Sequence, residues 1–372
     1  MKRPPIRILE LSGTPESIGH EHGKTFADEI RAYTKDRINL VSSGLWSGGS
    51  ISETEVIELA ESMLPAHRKF DEDLHAEMLA LANAAGISPA EAVIVGGFTD
   101  FVDAVRATIG VEIPGELQED DCTSMIIPDS RADGSGFLAQ TWDMHDTATD
   151  HVLLLKITPT DQPASLIFTT VGCLGQLGMN NAGVAVGINN LTCLDGKCGV
   201  TWTSVVRGML KAERSTDALN VLLEADLAGA HNYLIFDSSG DGYNIEAMPS
   251  VRPVNTLGPD PLVHTNHTIQ SESSDVQADR DASLLENSVR RLEKAQKILE
   301  EGIVDSDRLM TLTRDPEAIC QTAKEPYFIE SSGAAIMRPA TQDFWACWGR
   351  PAENEYQRVD WFHGYRTVYS FG

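Results

Sequence analysis

Apolar positions follow one spacing up to residue 121 and another after it. Before that point they recur every third or fourth residue, as on one face of a helix. In the stretch GTPESIGHEHGKTFADEIRAYTKDRINLV, Ile18, Phe26, Ile30 and Tyr33 keep that period. Thr14 is placed to cap the helix and Pro15 to occupy its first position. Ser52 opens a second helix over SETEVIELAESML. In FDEDLHAEMLALANAAG, Leu74, Met78 and Leu81 share a face that stops at Gly86, and Ser88-Pro89 starts another helix. Residues 110–121, GVEIPGELQEDD, read as an acidic loop bearing Gly and Pro that delivers the chain to Cys122.

From Cys122 the spacing shortens to that of strands. CTSMIIPDS, GSGFLAQTWDMH, HVLLLKITP and ASLIFTTVG are short β-rich segments divided by turn residues. GMNNAGVAVGINNLT predicts two strands around an Asn-Asn-Ala-Gly turn, and NYLIFDSSGDGYNIEAM a hairpin. Helical periodicity returns in TSVVRGMLKAERSTDALNVLLEA and in SLLENSVRRLEKAQKILEEG. The polar run QSESSDVQADRD is expected to be a mobile loop. AAIMRP and DFWACWGRP close the chain as a further hairpin. Consecutive hairpins favour largely antiparallel sheets with helices packed outside them, in one mixed unit carrying an N-terminal helical lobe.

Composition narrows the function. The chain has 372 residues, enough for a large core, and 42% hydrophobic with 23% charged residues is ordinary for a globular enzyme. Fifty-five acids against 29 Lys and Arg give a net charge of −26, which argues against nucleic acid or an anionic membrane as the main partner. The opening MKRPPIRILELSG lacks the apolar core of a secretory signal, so a cytoplasmic location is expected. The six cysteines are dispersed and are expected to be thiols. The closest pair, in CLDGKC at 193–198, has the wrong spacing for a zinc knuckle.

Cys122 stands in EDDCTSM, behind two acids and before two hydroxyl residues. It could be a buried core cysteine, a metal ligand, half of a disulfide, or a nucleophile. A nucleophilic thiol needs a base or a lowered pKa. If the chain were cut before Cys122, the new α-amino group would supply that base, because its ordinary pKa near 8 suits proton transfer at neutral pH. Asp143, 21 residues on, would return beside Cys122 on an antiparallel neighbour. Asn180 in GMNNAG and Asn266 in VHTNH are candidate donors to an oxyanion. His264 and His267 have H-x-x-H spacing, but no third ligand stands out, and no metal or cofactor is expected.

Taken in order, GTPESIGHEHG, D-C-T-S, the W-D of QTWDMH, GMNNAGVAVG, VHTNH and the C-terminal WGRP resemble the penicillin acyltransferase family. That family is one of self-cleaving N-terminal nucleophile hydrolases. The resemblance implies an α+β fold, a four-layer αββα sandwich of antiparallel sheets with Cys122 on a central strand. It implies self-cleavage between Asp121 and Cys122, with Cys122 then the catalytic nucleophile. Asp143 matches the catalytic aspartate, Asn266 the oxyanion asparagine, and Asn180 its backbone partner. Trp142 and His145, which flank Asp143, and Arg338 are candidate substrate contacts. Two departures stand out. Asp121 stands where the resemblance to penicillin acyltransferases implies a glycine before the cut. Gln321 and Ser332 stand where it implies two pocket arginines, and neither Arg338 nor Arg350 sits at a matching position.

The expectation is therefore a cysteine amidohydrolase that cleaves a small N-acylated or aminoacylated amine through a thioester. Residues 1–121 would form a helical α chain and 122–372 the catalytic core, intertwined as one unit. The rivals are acyl transfer to a small amine, for example from coenzyme A, a dipeptidase of a neighbouring N-terminal nucleophile family, and a silent binding protein of the same fold. The expected partner is a small-molecule amide, with neither nucleic acid nor membrane, and self-association into a homo-oligomer is compatible with the chain.

Overall fold

The computed structural model describes residues 2–44, 46–110 and 121–360. The acidic loop read over 110–121 thus lies, but for its first and last residues, outside the described residues. A strand β1 (Ile8–Gly13) leads into six helices: α1 (Pro15–Thr25), α2 (Ala27–Ser42), α3 (Glu53–Phe70), α4 (Glu72–Ala85), α5 (Pro89–Gly96) and α6 (Phe98–Ile109). The caps are those the sequence offers. Thr14 Oγ1 accepts from Ser17 N, and both Ser52 and Ser88 form reciprocal capping boxes with Glu55 and Glu91. Gly86 ends α4 at φ 76°, a left-handed turn that a side chain would strain. The first periodic stretch is two helices rather than one, divided at Phe26. α1 and α4 lie backbone to backbone, because a Cβ at Gly19 would stand 2.0 Å from the Glu77 carbonyl.

The core begins with β2 (Thr123–Ile127), β3 (Phe137–His145), β4 (Val152–Pro159), β5 (Ser165–Thr170), β6 (Leu177–Asn180) and β7 (Val184–Leu191). Then come α7 (Trp202–Met209), α8 (Ser215–Glu224), β8 (Ala230–Asp237), β9 (Gly242–Ala247), β10 (Val254–Thr256) and β11 (Leu262–His264). The chain continues through α9 (Ser271–Ser274), α10 (Ala282–Leu299), α11 (Ser306–Thr313), β12 (Ile329–Arg338), β13 (Asp343–Trp348) and β14 (Gln357–Arg358).

Two sheets result, in the orders β1-β4-β5-β6-β7-β8-β9-β10 and β11-β2-β3-β12-β13-β14. Among the described residues, all pairings within them are antiparallel except β1 with β4. The sheets meet where β2 and β3 pack on β7 and β8, α8 lies against β8 and β9, and α10 and α11 lie against β11, β3 and β12. This is the expected four-layer αββα sandwich. Its central strands are buried on both faces, which is why LLL and LIF run on without polar alternation. In β2 the alternation instead divides two cores: Ile126 joins the one between the sheets, while Met125 and Ile127 join one beneath α10 and α11.

Two expectations change. The helical N-terminal segment also contributes β1, which ties it into the first sheet alongside β4. The polar run at 270–281 is not a loose loop, for it forms the short α9 and buries Ser273, Ala278 and Arg280.

Candidate active site

Strand register gathers the site. Thr123 pairs with Thr141, so Cys122 comes level with Trp142 and beside Asp143. On its other side β2 pairs with β11, His264 opposite Ser124, and the same register carried two residues further brings Asn266 level with Cys122. On β12, Ser331 lies across from Asp143. All of these side chains are buried.

The Cys122 thiol points at the Asp143 carbonyl oxygen, 3.9 Å away. Thr141 Oγ1 donates to Asp143 Oδ2 at 3.3 Å, and Asp143 Oδ1 is buried without a hydrogen bond. Burial pushes the Asp143 carboxyl well above the usual carboxylate range. Arg291 and the Ser331 hydroxyl pull it down, and the nearby Asp121 carboxylate adds to the upward push.

Asn266 is held on every polar side. Its Nδ2 donates to the Asn190 carbonyl at 3.0 Å, its Oδ1 accepts from Arg291 Nη2 at 3.1 Å, its backbone N–H donates to Ser288 Oγ at 2.9 Å, and Arg280 donates to its carbonyl. The turn carrying it is anchored by His264, whose Nε2 lies 2.9 Å from Glu246 Oε1 and whose Nδ1 lies 2.7 Å from the Thr265 carbonyl. His267 Nδ1 turns instead to Ser288 Oγ, at 2.8 Å.

Arg291 is the hub of this arrangement. Its guanidinium donates to Asp121 Oδ1 at 2.9 Å, to the Cys122 carbonyl, to Thr123 Oγ1 at 3.1 Å and to Asn266 Oδ1, while Nε donates to Asn287 Oδ1 at 2.7 Å. Sequence reasoning missed it. The signal was present, because on α10 the buried residues Leu284, Ser288, Arg291, Ala295 and Leu299 keep helical spacing. An arginine within an apolar stripe implies a buried counter-charge.

Asn190 was missed as well. Ile188 N–H donates to Gln140 Oε1 at 2.7 Å, and Gln140 Nε2 donates to the Ile188 carbonyl at 3.2 Å. The polar groups of Ile188 thus point to the side of β7 from which β6 has already ended. Residues two apart on a strand present their backbone groups to the same side. Asn190, two residues on, gives its carbonyl to Asn266 there, which aims its N–H at the Cys122 end of the sheets.

Such an arrangement offers a thiol, an adjacent carboxyl, and amide donors, the requirements of acyl transfer. Comparison with known proteins agrees. The family model described as acyl-coenzyme A:6-aminopenicillanic acid acyl-transferase matches residues 130–353, a span that includes Asp143, Asn266 and Arg291. The chain belongs to this family. The 40 kDa form of acyl-coenzyme A:6-aminopenicillanic-acid-acyltransferase of Emericella nidulans is 23% identical over 274 residues, 72% of this chain and 71% of that one. Among solved structures, a mutant of the conjugated bile acid hydrolase of Clostridium perfringens covers 64% of this chain and 92% of its own at 10% identity, with TM-score 0.45. A Caenorhabditis elegans orthologue of N-acylethanolamine-hydrolyzing acid amidase covers 59% of this chain and 93% of its own at 13% identity, with TM-score 0.42.

Not every residue singled out by the resemblance to the acyl-transferase family reaches the cluster. Asn180 does not. Its Nδ2 donates to the Leu210 and Ala212 carbonyls at 2.9 and 2.7 Å, and its Oδ1 accepts from Val184 N at 2.9 Å. Val184 and Asn190 are six residues apart on β7, about 20 Å of strand. Arg338 lies seven residues beyond Ser331 on β12, roughly 23 Å away, where it pairs with Asp133 and covers the Phe137 ring. His145 caps the turn after β3, its Nδ1 3.0 Å from Thr147 Oγ1. Trp142 is level with Cys122 on the face of β3 opposite the Asp143 side chain, edge-on to Phe168 at 6.3 Å between ring centres. Of the two positions that the resemblance sets against pocket arginines, Gln321 lines a cavity of about 270 Å³ together with Asp121, Asn287, Arg290, Cys320 and Tyr327. Ser332 instead pairs with Thr149 at 2.9 Å.

All six cysteines are outside disulfides. Cys193 turns to Asp103 Oδ2 at 3.4 Å, and Cys198 to Ser62 Oγ at 3.1 Å. Among the described residues, no single helix is long and apolar enough to cross a membrane.

Proposed function

We propose that this chain cuts itself between Asp121 and Cys122 and then works as a cysteine amidohydrolase on a small N-acylated or aminoacylated amine. The observation that carries the reading is the meeting of Cys122, Asp143 and Asn266 around one buried arginine, Arg291. Membership of an acyl-transferase family supports the same class of chemistry. The Emericella nidulans relative is named for acyl transfer, and acyl transfer and amide hydrolysis are two fates of one acyl-enzyme.

In the first reaction the Cys122 thiolate bonds to the Asp121 carbonyl carbon. The C–N bond to Cys122 breaks, the thiol proton ends on the Cys122 nitrogen, and water hydrolyses the thioester. The new α-amino group then takes the thiol proton in each turnover. Sγ bonds to the substrate carbonyl carbon, the amide C–N bond breaks, and the proton passes to the departing amine. Water releases the acid and restores the thiol. An amine that outcompetes water gives acyl transfer by the same route.

Asp143 has the position for a partner to the α-ammonium. Its Oδ1 has no hydrogen bond in the uncut chain, and a buried acceptor gains most from a charged donor. The oxyanion would take one N–H from the Asn266 amide and one from the Asn190 backbone, in place of Asn180. The test is to quench the protein during turnover of a slow amide and map the adduct. An acyl group on the peptide beginning at Cys122 is expected. An adduct on another residue, or none during confirmed turnover, would remove Cys122 from the reaction.

A further inference from the structure

The residue before the cut is itself an acyl group for Cys122. In self-cleavage the Asp121 carbonyl occupies the place that a substrate carbonyl later takes. The Asp121 side chain is buried, its Oδ1 2.9 Å from Arg291 Nη2 and 3.9 Å from Arg280 Nη2, and it borders the 270 Å³ cavity. Both arginine side chains are buried too, and both also hold Asn266, one by its side-chain oxygen and one by its carbonyl. For a substrate to take that place the freed Asp121 end must withdraw, and this pair of buried cations then loses a carboxylate. Such a loss is costly unless another anion replaces it.

We infer that Arg280 and Arg291 form an acyl subsite for a carboxylate, so that the preferred substrate is an amide whose acyl group carries an acid two carbons from the reacting carbonyl, as in succinyl or aspartyl amides. This inference rests on the thioester reading above and adds the substrate class. The spacing comes from Asp121, in which two carbons separate the carbonyl carbon from the side-chain carboxyl carbon. Glycine at position 121 would place no such group there.

The experiment uses the processed protein and the p-nitroanilides of succinic, butyric and 4-aminobutyric acids, which match in length but differ in end charge. The succinyl compound should be cleaved with kcat/KM roughly ten- to hundred-fold above the butyryl one, the worth of one charged hydrogen bond. Arg280→Leu should shrink that ratio towards one. Succinate itself should slow alkylation of Cys122 by iodoacetamide, and butyrate at the same concentration should not. Equal or better cleavage of the butyryl compound would overturn the subsite while leaving the thioester mechanism standing. Equal protection by the two acids, or protection by neither, would overturn it without any need for turnover. An adduct missing from Cys122 would strike the mechanism instead, and the alkylation assay would still decide the subsite.

Discussion

Arg291 donates to the side-chain oxygen of Asn266 at 3.1 Å and thereby fixes which way that amide faces. With the oxygen held, the Asn266 NH₂ is turned to the Asn190 carbonyl and the Cys122 end of the sheets. One buried cation thus orients the Asn266 amide, the proposed oxyanion donor, and holds Asp121 and Cys122, the residues on either side of the proposed cut.

Removing that cation should damage folding and processing together. In a Cys122→Ala background, where the chain stays whole, Arg291→Met should lower the unfolding free energy by about 3–5 kcal/mol, the usual cost of leaving a buried charge without its partner. With Cys122 present it should also slow self-cleavage. Denaturant unfolding of the single and double variants measures the first effect. A difference below about 1 kcal/mol would mean that Asp121 finds another partner.

Asn266 and Asn180 should part company. Asn266→Ala, measured on processed protein, should lower kcat by about 100- to 1000-fold with little change in KM, as loss of one oxyanion donor does. Asn180→Ala should leave kcat nearly unchanged and show its effect in stability, since it frees two carbonyls and the Val184 N–H. A kinetic loss from Asn180→Ala matching that from Asn266→Ala would restore Asn180 to the site.

Asp143→Asn should fold and lose most activity, because the amide keeps the volume but cannot hold an ammonium as a carboxylate does. Full activity of the purified variant would exclude Asp143 from catalysis.

Two buried histidines should make the fold sensitive to acid. His22 accepts from Gly172 N and His67 from Thr201 N, roles open only to a neutral ring. Burial lowers both pKa values to about 3, with Arg207 adding to the first and His75 to the second. Between about pH 6.5 and 3 the unfolded chain binds these protons and the folded one does not. Stability is therefore fully present above pH 6.5 and falls as pH drops, by at most about 1.4 kcal/mol per pH unit for each ring. His22→Gln should flatten that slope between pH 6.5 and 5 in denaturant titrations. An unchanged slope would show that His22 does not carry it.

The sequence made much of this architecture legible, for identifiable reasons. Helix starts were readable because Thr14, Ser52 and Ser88 are local capping signals. Strands buried on both faces were readable as apolar runs. β1 was not, because a six-residue edge strand carries little pattern. The site was half legible. Cys122 and Asp143 meet through a hairpin, and Asn266 reaches them through the next strand, so local order sufficed. Asn180 was singled out because its turn resembles a family motif, while the backbone that bonds Asn266 lies at the other end of β7. Arg280 sits in a polar run with no apolar spacing to mark it as buried, and only the folded structure shows that it is.

The central claim is that Cys122 acts as a new N-terminus, and intact-mass spectrometry of catalytically active protein tests it most directly. The account predicts two chains, residues 1–121 and 122–372, that stay together under native conditions because β1 remains paired with β4, whereas Cys122→Ala remains whole. An active preparation consisting only of the uncut chain would contradict it, since no α-amino group would then exist to serve as the base.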